Sequence, residues 1–405
     1  MPDQIEGRVP LCERYAVADV DAHVIEPADL WTSRLSEARW GDRIPHVAFD
    51  ERSGEDRWYV GSKRLFGTGA FAQAGWREFP PSHPHNLREA LPAAVDPEER
   101  LVYMDDVGVY YQLLYPNILG FHSHVFLNEM EPELATECVR AYNDFLTEFC
   151  SADSRRLIAM MMLPFWDIEA SVAEMRRCAD MGHKGVLFAA QYEKVGLPPL
   201  VDDHWEPVLA QAQEMGLSMN FHCGFLQTPE ELRGAVNQAE KLSFTRESSL
   251  VLLGNARNVA DVVLSGVCHR YPELKFVSVE NGAGWLPYLS ESMDWQWLNV
   301  GAHKDFPERL QPSEYVKRQI YAMYWFEQAS MRSVVDILGD NLMFETDFPH
   351  ATSLSPGPAS ESPSPRDVME RSLDGLPDEV VGKILQHTAT GLYHLEPPVR
   401  AGTAA

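Results

Sequence analysis

The stretch Met215-Gly216-Leu217-Ser218-Met219-Asn220-Phe221-His222-Cys223-Gly224 decides how the chain is to be read. Behind it, residues 204–215 read as a helix, and Gly216 stands where a helix C-terminal cap favours a residue free to turn left-handed. Ahead of that glycine, 217–222 is a short run that stops abruptly on an imidazole. A helix stop followed at once by such a run is one step of an alternating helix–strand pattern. The step recurs in both directions. Runs at 16–23, 110–115, 157–163, 185–189, 217–222, 274–280, 320–324 and 341–345 give eight strands, with helices such as 132–150 and 168–181 between them. Eight strands with intervening helices predict an α/β fold, a (β/α)₈ or TIM barrel, for which 405 residues is a normal length with insertions.

The barrel is expected to form one domain over 1–396, with an insertion at 27–96 after the first strand and a disordered tail at 397–405. The insertion is rich in Trp, Gly, Pro and His, and a second irregular piece, 351–365, is rich in Ser and Pro. Both follow barrel strands on the side where loops build the pocket, so at least one is expected to cover it. A net charge of −26 argues against nucleic acid as a partner, which would require a basic surface. With 45% hydrophobic residues and no apolar run near twenty, a membrane span is not expected. The first ten residues are polar and lack a signal-peptide core, so a cytoplasmic location is expected. Six scattered cysteines without a C-x-x-C pair indicate neither a disulfide framework nor a thiolate zinc site.

Catalytic residues of such a barrel sit at the C-terminal ends of its strands. In Val20-Asp21-Ala22-His23-Val24-Ile25-Glu26, residues two apart point to one side of a strand, so Asp21 and His23 can present a carboxylate and an imidazole to one ion, with Glu26 just beyond. The fifth strand ends on His222, the sixth on Glu280, and the eighth leads through Phe344-Glu345-Thr346-Asp347-Phe348-Pro349-His350 to Asp347. Four apolar strands ending in His, Glu or Asp predict a metal site whose ligands are Asp21, His23, Glu26, His222, Glu280 and Asp347. Glu280 and His350 are also the catalytic candidates. Glu345 shares a strand side with Asp347, as a ligand or in a salt bridge, and His122 and His124 are second choices. The aromatic set Trp285, Tyr288, Trp295 and Trp297 reads as core, with one or two members open to lining an apolar substrate site.

Across almost its whole length the chain resembles the metal-dependent amidohydrolases related to aminocarboxymuconate semialdehyde decarboxylase and resorcylate decarboxylases. The resemblance rests on Asp19-Val20-Asp21-Ala22-His23, Glu99-Arg100-Leu101-Val102-Tyr103-Met104-Asp105, Ala141-Tyr142-Asn143-Asp144, Phe221-His222-Cys223-Gly224, Glu280-Asn281-Gly282-Ala283-Gly284-Trp285 and Thr346-Asp347-Phe348-Pro349-His350. It implies a TIM barrel with Asp21, His23, His222 and Asp347 as ligands. Two departures stand out. Glu280 occupies the place where decarboxylase relatives usually have a histidine, and the fourth strand offers Phe188, Ala189 and Gln191 in place of a lysine positioned for carbamylation. The carboxylate-rich set therefore looks most like the non-haem diiron monooxygenase subgroup of bacterial diterpenoid biosynthesis. That likeness implies two iron ions, O₂ and an electron donor, and hydroxylation of a bulky small-molecule substrate such as a coenzyme A thioester. The alternative is a hydrolase or decarboxylase using one zinc or manganese. A homodimer is a family-level expectation.

Overall fold

The computed structural model describes residues 9–78, 82–121, 123–224 and 240–399. Eight parallel strands close into a barrel: β1 (Ala18–His23), β5 (Tyr111–Tyr115), β6 (Leu157–Met161), β7 (Gly185–Phe188), β8 (Ser218–His222), β9 (Phe276–Val279), β10 (Ile320–Tyr324) and β11 (Leu342–Phe344). β1 pairs with β5 on one side and with β11 on the other, which seals the ring. All eight strands foreseen in the sequence are present, each within a few residues of its expected limits. They are buried on both faces, inward by the barrel and outward by helices, and for that reason most read as largely apolar runs, whereas β1 and β8 place polar residues at alternate positions.

The helices follow from local signals. Pro132–Cys150 begins with proline in its first turn and buries Leu134, Ala135, Cys138, Val139, Tyr142, Leu146 and Phe149, one stripe at helical spacing. Ile168–Asp180 is capped by Asp167, whose carboxylate accepts from the Ala170 amide at 2.9 Å. Glu206–Met215 ends at Gly216, whose φ of 66° is the left-handed cap that the sequence indicated.

The segment between β1 and β5 contains an antiparallel sheet, β2 (His46–Asp50), β3 (Glu55–Val60) and β4 (Lys63–Gly67), then the helix Pro97–Val107 capped by Asp96. It meets the segment after β11 directly. The Ala74 amide donates to the Pro349 carbonyl at 2.9 Å, and the Tyr103 and Ser355 hydroxyls lie 3.2 Å apart. Residues 400–405 of the expected tail lie outside the described residues. One aromatic expectation is corrected. On the helix Leu286–Asn299, Tyr288 is 78% exposed and Trp295 69%, so neither belongs to the core. Helical spacing identifies a stripe, but not whether anything covers it.

Candidate metal centre

Alternation along β1 sends Asp19, Asp21 and His23 to the same side, and all three are fully buried. Asp21 and His23 reach the rim, where His222 from the end of β8 and Asp347 from the turn after β11 join them. The Nε2 atoms of His23 and His222 face each other at 3.0 Å. Asp21 Oδ1 lies 3.4 Å from His222 Nε2 and 3.6 Å from His23 Nε2, and Asp347 Oδ1 lies 3.7 Å from His23 Nε2. Two donors bound to one ion at zinc-like distances stand about 3.0 to 3.4 Å apart, close to the spacing of these four atoms.

Unmet bonding points the same way. Both carboxylate oxygens of Asp21 and Oδ1 of Asp347 are buried without a hydrogen bond of ordinary geometry among the described residues. Leaving such charged oxygens unpaired is unfavourable unless a cation is bound there. Asp21, Glu280 and Asp347 also bring carboxylate oxygens within 4.8 Å of one another. Burial, then the Asp347 and Asp21 charges, pushes the Glu280 carboxyl well above the usual carboxylate range. Burial, then the nearby His350 and His222, holds the His23 imidazole well below its usual value, in the neutral form that a metal requires. His222 Nδ1 lies 2.7 Å from the Cys223 carbonyl, a contact it makes as a donor, which leaves Nε2 as the free lone pair. The donor set of two imidazoles and two carboxylates fits one divalent ion.

The remaining candidates are distributed around this core. Glu280 adopts a left-handed φ of 53° and Asp347 one of 59°, strained values for residues with a Cβ, and both sit at the rim. Glu280 Oε2 accepts from the Cys223 thiol at 2.8 Å and approaches His222 Nδ1 at 3.5 Å. His350 stacks on His23 with ring centroids 3.9 Å apart, with Nδ1 2.7 Å from Asp347 Oδ1 and Nε2 2.7 Å from Asn117 Oδ1. Asn117 uses its Nδ2 as a donor to the Val24 carbonyl, so its Oδ1 faces His350 as an acceptor and His350 carries a proton on Nε2.

Glu26 is held apart from the donor sets. Its carboxylate accepts from the Asn117 and Ile118 amides at 2.8 and 3.0 Å, three residues past His23 where the chain has left the strand. Among the described residues, it is linked to the centre through Asn117, whose Oδ1 faces His350. Glu345 accepts from the Glu280 amide at 3.0 Å, and no cation pairs with it among the described residues. His124 lies on the helix Ser123–Glu129 outside the donor sets among the described residues, and His122 lies outside the described residues. Asn117 and Cys223 were not singled out in the sequence, although Cys223 adjoins His222. Over the centre, Phe71 of the insertion stacks on Phe121 at 5.2 Å, and Phe121 approaches His222 and His23 at 5.4 and 5.9 Å. Gly224 makes this possible, because a Cβ there would come within 2.9 Å of the Phe121 ring.

Comparison with known proteins gives the chain a family. The family model described as Amidohydrolase matches residues 18–395, and the chain belongs to that family. Among curated relatives, the 2-amino-3-carboxymuconate-6-semialdehyde decarboxylase of Dictyostelium discoideum is 21% identical over 280 residues, 66% of this chain and 70% of that protein. A gamma-resorcylate decarboxylase of Rhizobium is 24% identical over 226 residues, 53% of this chain and 66% of that one. Among solved structures, an amidohydrolase of Mycobacterium avium subsp. paratuberculosis superposes with a TM-score of 0.70 at 20% identity, covering 94% of this chain and 99% of the other. A 5-carboxyvanillate decarboxylase of Novosphingobium aromaticivorans with bound manganese gives 0.65 at 15% identity, covering 94% and 97%. At these identities the structural likeness shows the fold alone. The curated relatives are decarboxylases, and this overturns the expectation of a diiron monooxygenase. The two iron ions lose their support with it. A carboxylate-rich donor set does not by itself indicate oxygen chemistry, because donor types constrain the ion more than the reaction.

Proposed function

We propose that this protein is a divalent-metal-dependent, non-oxidative decarboxylase of a planar unsaturated or aromatic carboxylic acid, using one ion, manganese or zinc. The observation that carries this reading is the convergence of His23 Nε2, His222 Nε2, Asp21 Oδ1 and Asp347 Oδ1, with orphaned carboxylate oxygens, in a chain whose curated relatives are decarboxylases. Asp21, His23, His222 and Asp347 would hold the ion. When bound, it supplies positive charge that orients the acid and stabilises developing negative charge.

The side chains account for the remaining requirements. Phe71, Phe121 and the face of His350 favour a flat substrate and exclude water, which keeps a developing carbanion from indiscriminate protonation. Loss of CO₂ breaks the bond between ring carbon and carboxyl carbon. The bonding pair stays on the ring carbon, which must then take up a proton. Glu280 is suited to deliver it: its carboxyl is buried and holds its proton tightly, and the Cys223 thiol occupies Oε2, leaving Oε1 to carry the proton. Glu280 thereby takes the place where the resemblance implies a histidine. Neither O₂ nor a reductant enters this balance.

The test is release of CO₂ from a panel of dihydroxybenzoates, carboxyvanillate and muconate-type acids by protein stripped with chelator and reloaded with Mn²⁺ or Zn²⁺. Turnover is expected to require the metal and to be equal in air and under argon. Metal-loaded protein that decarboxylates none of the panel would defeat the proposal.

A further inference from the structure

The Glu99-Arg100-Leu101-Val102-Tyr103-Met104-Asp105 motif and Asp19 have no part in the site described so far, yet both lead to it. Arg100, on the helix Pro97–Val107, is fully buried and has no carboxylate in direct contact among the described residues. Its guanidinium donates from Nε to the Ala93 carbonyl, from Nη1 to Gln112 Oε1 at 2.9 Å and from Nη2 to the carbonyl of His23 at 2.8 Å. It also lies 4.6 Å from the centroid of the Phe348 ring. Gln112, fully buried in β5, passes the connection on: its Nε2 donates to Asp19 Oδ2 at 2.9 Å. Asp19 then accepts from the Thr346 amide at 2.8 Å and from the Thr346 hydroxyl at 2.6 Å.

We infer that Arg100, Gln112 and Asp19 are positioning residues that set the spacing between His23 and Asp347, an inference that rests on the metal-centre reading above. The chain of contacts begins on the carbonyl of one ligand, His23, and ends on the residue immediately before another, Asp347. It also braces Phe348, the residue immediately after. A network serving general stability could attach anywhere on β1 and β11, whereas this one attaches at the two points that fix where His23 Nε2 and Asp347 Oδ1 stand. Metal ligands need placement to within about half an ångström, and neighbours that orient them commonly tune affinity about 10- to 100-fold. Because Gln112 presents an acceptor to the cation and a donor to the anion, the buried charges of Arg100 and Asp19 are linked through an amide whose orientation is fixed.

That orientation supplies the test. Gln112→Glu keeps shape and volume but turns an oxygen toward Asp19, opposing two carboxylates. The protein, stripped and loaded with Co²⁺, should show affinity reduced about 10- to 100-fold and a shifted visible absorption spectrum. The exchange Asp19→Asn with Gln112→Glu restores a donor facing an acceptor and should recover most of the affinity and the original spectrum. Wild-type affinity and spectrum in folded Gln112→Glu, or a double variant as weak as the single one, would overturn the inference. Should Gln112→Glu not fold, Thr346→Val removes one hydroxyl from the same chain; an unshifted cobalt spectrum and unchanged affinity in that variant overturn the inference equally. Unmodified protein that binds neither Co²⁺ nor Mn²⁺ would instead overturn the metal-centre reading, and this inference with it.

Discussion

Asp19 and Asp21 occupy the same strand, point to the same side and are equally buried, yet their surroundings are opposite. Asp19 receives three hydrogen bonds from Thr346 and Gln112, and beyond Gln112 lies a guanidinium. Asp21 has two unpaired oxygens facing two imidazoles and two further carboxylates. The same contrast holds across whole layers. Deeper in the barrel, Asn220 is satisfied by the Tyr115 and Tyr393 hydroxyls and the Val186 carbonyl. At the rim, both carboxylate oxygens of Asp21 lack a hydrogen bond and Glu280 is crowded by like charge. Burial alone therefore does not distinguish these two aspartates; the completeness of their bonding does.

The largest effect that would sharpen this contrast is at Asp21. Asp21→Asn should forfeit metal retention and several kcal/mol of transition-state stabilisation, roughly a thousandfold in rate; metal content after gel filtration and CO₂ release measure both. A variant that retains both would dissolve the distinction. Glu280→Gln divides the rim itself: with metal content near wild type, turnover should fall about a hundredfold or more, the size of effect expected for general acid catalysis. Loss of metal in that variant would make Glu280 a ligand first.

A smaller effect of opposite sign is expected in the metal-free chain. Asp19→Asn should lower stability by about 1 to 3 kcal/mol by breaking a completed set of bonds, whereas Asp21→Asn should leave it equal or raise it by removing an uncompensated charge. Urea denaturation of chelator-treated protein tests this, and equal losses would break the comparison. The smallest change is expected at Glu26. Glu26→Gln still offers an oxygen to the Asn117 and Ile118 amides, so stability should drop by about 1 kcal/mol or less with metal content unchanged. Metal loss there would return Glu26 to the ligand set.

These contrasts also explain what could be read in the sequence. Most of the eight strands were legible because parallel strands covered on both faces are largely apolar, and the polar residue at or just beyond the end of such a run, His222 or Asp347, marks the rim. Asp21 and His23 were legible from strand alternation alone. Glu26 was less so, because alternation lapses after His23 and only the fold reveals that Asn117 and Ile118 turn their amides toward it. Asn117 and Cys223 carry no periodic signal, and their roles arise from contacts with chain segments far away in sequence. The reaction was the least legible part. Reading oxygen chemistry from Glu280 treated a residue type as a mechanism, where a tightly held proton serves a decarboxylase equally well.

The arrangement of β1 beside β11 has a consequence for biosynthesis. Asp347 leaves the ribosome 326 residues after Asp21, the difference of their positions. At ordinary translation speeds that delay is roughly 15 to 65 s. Throughout this time the nascent chain holds only part of the donor set, so the four side chains can converge only after Asp347 has emerged.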